Sequence, residues 1–523
     1  MQVKIVSKLN RHVNQLAEQI SYVITKDPFD SSSLALGYQQ VNCEIESGSF
    51  ESLKSYAKAT FTDLDPDTDY YYWMYHQTAN TEEYVNYTFH TEGYGLPYLG
   101  KFKTYPVSSS AYSFSASFAS CQQSLTTSTI FDKIATYKPN VFLHMGDLHY
   151  WDGSYEPDLQ ENYEDANEVS IASGSVYFEP HNPASYYSGS SPNYMPKLLR
   201  NVPFNYVWDD HDYGENNSDA SHIDRAHASS AYRLMFPHYP LSASFETYTS
   251  GSVTLQHQPI YHTFKIGRVK FIVTDNRSQR MPATNTDNDA KYVWAPEQET
   301  WFKEQITDTT CPVKVWISSF PWEGDDTHTL PTSWSGDDGW EKYTTYRKKI
   351  AHYISQNSGS VGKLLIFSGD AHMTAIDDGT LSPWYSGSRP NPPVTIYQSG
   401  PLDQAGSRKG GPYIVNGADI WNNSSISVRQ DNGSYNTYIT NQSSSYTTAN
   451  NRYGCMEVYD DLTNITMSLY SRSGNTTLTS SFGDLRFPSV NGEYRKYRLV
   501  LNTSGYTVGS GGLVTQTATL ATP

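Results

Sequence analysis

The sequence predicts a layered α/β domain preceded by a small β domain, and three observations carry that prediction. From about residue 112, short apolar runs recur and each ends in a polar loop. Phe114 to Ala119 leads into Ser120-Cys121-Gln122, Asn140 to Met145 into Gly146-Asp147, Val269 to Val273 into Thr274-Asp275, and Lys363 to Phe367 into Ser368-Gly369-Asp370. Strands buried on both faces read this way, and in layered α/β proteins ligands gather at the carboxyl ends of such strands. Helical spacing of apolar residues lies between the runs, over Ser128 to Tyr137, Ala295 to Ile306 and Lys342 to Ser355. Before about residue 107 the texture is strand and turn instead.

Taken in order, Leu9 to Ile20 has helical spacing and predicts a short amphipathic helix. Ala57 to Leu64, the turn Asp65-Pro66-Asp67-Thr68 and the aromatic run Asp69 to Tyr75 then make a strand, a turn and a strand, the pattern of a β-sandwich. A Leu, a turn and a Tyr-rich strand match the tyrosine corner of immunoglobulin and fibronectin type III sandwiches, and the tyrosines read equally as ordinary strand fillers. Gly100 to Pro106 reads as a last strand and linker. The predicted division is a β-sandwich over 1–107, a catalytic domain over 108–483 and a C-terminal extension over 484–523. Within the catalytic domain, Ser154 to Ser191 is a long insert suited to form a wall or lid over the site. Asn422 to Asn451 reads as long surface loops, and Cys455 to Tyr459 with Ile465 to Tyr470 as a closing hairpin.

At 523 residues the chain exceeds one ordinary domain. Its formal net charge of −17 disfavours a nucleic-acid partner, because binding phosphate backbones needs an excess of Lys and Arg. Only 17% of residues are charged while Tyr alone supplies 43, a balance that favours β structure and loops. No apolar stretch suggests a transmembrane segment or a leader. The cysteines at 43, 121, 311 and 455 are too scattered for a disulfide scaffold or a zinc ribbon. Scattered Asn-x-Ser/Thr triplets point toward secretion.

The chemistry concentrates in Trp208-Asp209-Asp210-His211-Asp212-Tyr213-Gly214-Glu215-Asn216-Asn217. Acidic side chains this close repel one another unless solvent or a cation takes up their charge. Met145-Gly146-Asp147-Leu148-His149-Tyr150 and Phe367-Ser368-Gly369-Asp370-Ala371-His372, each also following a strand-like run, favour the cation. Carboxylates, imidazoles and amides converging at strand ends suit a hydrolase with two or three metals, and hydrolysis at phosphorus is the leading reading. His211 is placed to protonate the leaving oxygen or to steady the equatorial charge. On an extended backbone Asp210 and Asp212 point to opposite sides, so that one ligates metal and the other orients the imidazole.

Each residue also has a plainer reading. Cys121 alone is a small core residue, Tyr150 a strand-end aromatic, and Asp147 and Asp370 turn formers after glycine. His144 and His149 read as hydrogen-bonded structural residues. Arg277 reads equally as a bidentate phosphate ligand and as a structural partner of Asp275. The acidic pairs Asp325-Asp326 and Asp337-Asp338 read as solvated loops.

Six ordered blocks resemble the motif set of the alkaline phosphatase D family: Ala119-Ser120-Cys121-Gln122, Gly146 to Tyr150, Trp208 to Asn216, Asp275-Asn276-Arg277, Glu297 to Trp301 and Ser368 to His372. Asp338 to Tyr343 with Arg347 resembles a further block, and the match spans roughly 57–470. That family is similar to the purple acid phosphatases. The resemblance implies a metallophosphoesterase core of two mixed β-sheets flanked by helices, with Fe3+ and Ca2+ as cofactors. It implies Cys121, Asp147, Tyr150 and His372 as iron ligands, Asp147 bridging, and Asp210, Asn216 and Asp370 as calcium ligands. Thiolate and phenolate donors suit ferric iron, and carboxylate and amide oxygens suit calcium. No Arg or Lys follows Cys121, so the phosphate-gripping group is open, with Arg277 the substrate-binding candidate.

The expected function is therefore that of a secreted or periplasmic alkaline phosphatase, a phosphomonoesterase with phosphodiesterase activity that uses metal-activated hydroxide. The alternatives are a phospholipase-D-type phosphodiesterase on the same scaffold and a non-catalytic binding protein on a phosphatase fold.

Overall fold

The computed structural model describes residues 2–9, 18–26, 39–47, 55–78, 100–123, 126, 128–150, 194–322, 339–372, 374–377, 394–406 and 451–473, with short strands between 414 and 439 and beyond 481. Its centre is a pair of mixed β-sheets. The first runs in the order Phe204–Tyr206, Val141–His144, Phe114–Ala119, Arg452–Asp460, Ile465–Ser473, with the first three strands parallel and the last two antiparallel. The second runs His262–Ile266, Val269–Val273, Val313–Ser318, Lys363–Ser368, Thr395–Gln398, Ala375–Asp377, with four parallel strands between two antiparallel edges.

The apolar runs are continuous because both faces of these strands are covered. In the second sheet Phe271, Val315, Leu365 and Phe367 face the first sheet and share its core with Phe114, Ala116 and Phe118. The rings of Phe118 and Phe367 stack with centroids 4.0 Å apart, and Tyr397 meets Phe118 edge-on at 4.7 Å. The alternate residues Ile272, Trp316, Leu364 and Ile366 face the opposite way, into a second core closed by Phe302, Ile306, Ile350 and Ile354 of the helices Pro296–Ile306 and Thr344–Gln356. Helix Ile130–Tyr137, with Ile130, Phe131 and Ile134, and helix Tyr194–Asn201, with Met195 and Leu198, cover the outer face of the first sheet. The layers are helix, sheet, sheet, helix.

Local sequence sets the helix starts. Pro296 occupies the first turn, where its missing N–H is harmless, and Glu297 and Glu299 sit beside the positive end of the helix dipole. Gly454 faces Phe118 across the antiparallel pair, and a Cβ on it would come within 2.4 Å of that ring. The bare glycine is what lets the ring lie between the sheets.

Ahead of this core lie two antiparallel sheets. One holds Val3–Leu9, Ser55–Phe61 and Glu44–Ser47, and the other Gln39–Asn42, Glu18–Thr25, Asp69–Thr78 and Gly100–Lys103. Ile5, Ala59 and Phe61 of the first share a core with Tyr22, Ile24, Tyr70 and Phe102 of the second. The Tyr70 hydroxyl accepts the backbone N–H of Asp65 at 3.0 Å, tying the Pro-Asp turn to its strand. Lys58 donates to the Arg233 carbonyl and Tyr72 to the Arg200 carbonyl, both at 3.1 Å, and these bonds join the small sheets to the helices behind them.

Two expectations are corrected. Leu9 ends a strand and residues 18–20 begin another, so both ends of the expected helix are extended; residues 10–17 lie outside the described set. Pairing in the sheets overrides the helical spacing there. Within the stretch expected to be surface loops, Ser425–Arg429 and Tyr435–Ile439 form an antiparallel pair. The closing hairpin is present as Arg452–Asp460 with Ile465–Ser473.

Phe118→Ala removes the ring at which the two sheets meet and should lower stability by about 3–5 kcal/mol. Urea unfolding followed by tryptophan fluorescence measures this; an unchanged midpoint would place the joint elsewhere.

Candidate metal centre

Parallel strands deliver their carboxyl ends to one edge, and the loops leaving that edge carry the acidic motifs. Their backbones interlock. Cys121 N–H donates to the Gly146 carbonyl at 3.2 Å, Gln122 N–H to the Asp147 carbonyl at 2.8 Å, and Gly369 N–H to the Ser319 carbonyl at 3.0 Å. Two glycines make the approach possible. Gly146 has φ +100°, and a Cβ there would lie 2.4 Å from Asp209 Cβ; a Cβ on Gly369 would lie 2.6 Å from Ser120 Cβ.

The side chains that follow are held in a conformation that L-residues seldom adopt. Cys121, Asp147, Asp370 and His372 have φ of 62°, 55°, 61° and 48°. Each such residue costs on the order of 1–3 kcal/mol and persists where the surroundings enforce it, commonly at functional sites. Here the left-handed turn swings each side chain off its strand direction and toward its neighbours.

Three overlapping groups result. The ligating atoms of Cys121, Asp147 and His372 lie within 4.8 Å of one another, as do those of Asp147, Asp210 and His211, and those of Asp209, Asp210 and Asp370. Asp147 belongs to two groups and Asp210 to two, so the three form one continuous cluster. Tyr150 Oη donates to Asp147 Oδ2 at 2.8 Å and lies 2.8 Å from His372 Nε2. The Cys121 sulfur is 3.5 Å from the same Asp147 oxygen. His372 Nδ1 is 3.0 Å from the Ala405 carbonyl, an acceptor only, so in the neutral ring Nδ1 carries the hydrogen and Nε2 keeps a lone pair. The rings of Tyr150 and His211 lie 4.2 Å apart.

The electrostatics of this cluster are lopsided. Asp147, Asp209, Asp210 and Asp370 are all buried, with Arg277 set against Asp209 and Asp210. Burial, then the Asp210 charge, holds the Asp147 carboxyl well above its ordinary range, with His211 pulling the other way. Burial pushes Asp209 up to about 7 against the pull of Arg277. Burial and the Asp147 charge likewise raise Cys121 and Tyr150. Asp147 Oδ1 and Asp209 Oδ2 are buried and have no hydrogen-bond partner among the described residues. A buried acceptor left so costs about 1–3 kcal/mol, and more when charged, unless something positive binds it. Oxygen, nitrogen and sulfur donors packed this closely fit metal ions.

A family model of PhoD-like phosphatases matches residues 115–458, which contain every residue of the cluster. The chain belongs to the PhoD-like phosphatase family. Among solved structures, one titled Structure of PhoD is similar at TM-score 0.53 and 16% identity, covering 89% of this chain and 82% of that one. The purple acid phosphatase PPD1 from yellow lupin (Lupinus luteus) seeds is similar at TM-score 0.52 and 9% identity, over 92% of this chain and 72% of that one. No curated protein sequence matches. Membership of this PhoD-like family, together with the acidic and histidine groups, implies a metal-dependent phosphoesterase. No helix among the described residues is long and apolar enough to cross a membrane.

Of the residues singled out from the PhoD-like motifs, Cys121, Asp147, Tyr150, Asp210, His211, Asp370 and His372 come together. Asn216 is exposed on the following loop, and its neighbour Asn217 donates its N–H to Asp210 Oδ2 at 2.7 Å. Arg277, the substrate-binding candidate, faces the acidic loop. It is fully buried, with Nε on Asp209 and Nη2 3.3 Å from Asp210, so it neutralises the loop from beneath. The stretch at 210–213 is a helical turn, where an extended backbone was expected. Residues i and i+2 still diverge on such a turn. Asp212, however, accepts the N–H groups of Leu148 at 2.6 Å and Asp209 at 2.9 Å, fastening the Asp147 loop rather than an imidazole. His144 is buried against Phe142, Phe204 and Tyr206 with neither ring nitrogen hydrogen-bonded among the described residues, so packing and not hydrogen bonding places it. The insert at 154–191 and the acidic pairs at 325–326 and 337–338 lie outside the described residues.

Two participants were missed. Asp209 was read as part of a motif without a role, and it carries one of the two orphaned oxygens. Ser319 donates to Asp209 Oδ1 at 2.7 Å from the end of the Val313–Ser318 strand, and the same signal of an apolar run ending in a polar pair marks that position.

Gly146→Ala forces a Cβ into Asp209 and a side chain into positive φ. The midpoint of thermal unfolding should fall by an amount equivalent to at least about 1–3 kcal/mol. A wild-type midpoint would mean that the two loops do not cross as described.

Proposed function

We propose that this protein hydrolyses phosphomonoesters, with some activity on diesters, at a centre of ferric iron and calcium. In this reading Cys121, Asp147, Tyr150 and His372 hold iron, and Asp147 reaches from that group to Asp210 and Asp370, which with Asn216 serve calcium. The observation that carries it is the double membership of Asp147 and Asp210 in groups whose ligating atoms lie within 4.8 Å, since shared carboxylates keep metals close together. A thiolate, a phenolate and a carboxylate bring negative charge that suits a highly charged ferric ion, and the all-oxygen group suits calcium. When bound, such metals neutralise phosphoryl oxygens and acidify water.

The remaining work falls to the chain. His211 stands with Asp147 and Asp210 and is the group best placed to give a proton to the leaving oxygen. Arg277 and Ser319 fix Asp209, and Asp212 fixes the loop bearing Asp147, so the carboxylates are aimed before substrate arrives. The front sheets at 1–107 form a fibronectin III or immunoglobulin-type sandwich in this proposal, supported by their shared core and the Tyr70 bond to Asp65. A catalytic domain at 108–483, an extension at 484–523 and a secreted or periplasmic location belong to the same proposal, the last supported by the Asn-x-Ser/Thr triplets.

Purified protein should contain iron and calcium and show a visible charge-transfer colour. Chelation should abolish turnover of a chromogenic phosphomonoester and added metal should restore it; full activity in metal-free protein would refute the reading. His211→Ala should retain its metals while turnover falls about 10²- to 10⁴-fold. Elemental analysis beside the rate assay separates that outcome from loss of the centre.

A further inference from the structure

Ser120 stands next to the cluster and has no part in the roles given above. It is fully buried, and its Oγ lies 3.0 Å from the Cys121 sulfur and 3.3 Å from the Ser399 carbonyl. Two loops press it into place. A Cβ on Gly369 would come within 2.6 Å of Ser120 Cβ, and a Cβ on Gly400 within 2.8 Å of Ser120 Oγ. Alanine would fill the same space without a hydroxyl, so close packing alone does not call for serine.

A hydroxyl has one hydrogen and two lone pairs. Beside a protonated thiol it accepts from sulfur and donates to the Ser399 carbonyl. Beside a sulfur that has given its hydrogen up, the same rotor turns and donates to sulfur. Hydrogen bonds to a ligating sulfur draw off electron density and tune the metal it holds.

We propose that Ser120 is a positioning residue that donates a hydrogen bond to the Cys121 sulfur and sets how strongly that sulfur donates to iron. The proposal rests on the reading of Cys121 as an iron ligand. Serine then serves the metal through sulfur without touching it, and Gly369 and Gly400 hold the hydroxyl within reach.

The test uses the whole iron-loaded protein. In wild type, resonance Raman should resolve an iron–sulfur stretch that shifts on transfer from H2O to D2O, because the bond to sulfur is then an O–D bond. Ser120→Ala should keep its iron by elemental analysis, lose that isotope shift, and move the sulfur charge-transfer band to longer wavelength. An iron–sulfur stretch insensitive to D2O in wild type overturns the proposal, even if the variant fails to fold. So does an unshifted band in an iron-replete variant. Iron bound with no iron–sulfur stretch, or wild type without iron, overturns the proposal together with the ligand reading beneath it, and elemental analysis tells those cases apart.

Discussion

Four carboxylates buried within reach of one another govern this structure. Water cannot screen them, and the nearby Arg277 sets its charge against Asp209 and Asp210. Burial holds the Asp147 and Asp209 carboxyls above their ordinary range. A fold that keeps such a cluster stores an unfavourable interaction that a bound cation relieves. The left-handed backbone at Cys121, Asp147, Asp370 and His372 tells the same story from the main chain: local strain is accepted where the side chains must point inward.

The sheets supply the stiffness for this. Phe118, Phe367 and Tyr397 lock one sheet on the other a few residues before Cys121, Asp370 and Ser399, so the loops start from a packed platform. From there hydrogen bonds pass from loop to loop, Gln122 to Asp147, Leu148 to Asp212, Ser319 to Asp209. Precision in the acidic residues is therefore inherited from aromatic packing, the least polar part of the domain.

Much of this was legible in the residue pattern. Continuous apolar runs identify strands covered on both faces, and the polar loop after each run marks where the loops gather; Asp147, Asp210, His211, Asp370 and His372, read that way, do converge, and Cys121 and Tyr150, picked out by the family resemblance, join them. What escaped depends on direction, which sequence does not carry. Arg277 follows a strand end as a phosphate-binding residue would, and only its burial against Asp209 and Asp210 reveals it as a counter-charge. Asp212 lies where an imidazole partner was expected, yet its oxygens face the Leu148 amide because 210–213 coils into a turn. The spacing of Leu9 to Ile20 is helical, but partners far along the chain turn both ends of it into strands.

One feature of the sheet order bears on how the protein is made. The Phe114–Ala119 strand, which aims Cys121, takes its neighbour Arg452–Asp460 from near the other end of the catalytic region. Until that late hairpin emerges from the ribosome, the early strand keeps an unsatisfied edge, and ordering it requires closure of a very long loop. An open strand edge of this kind favours pairing with other chains, so the first sheet is exposed to association until the hairpin docks on it.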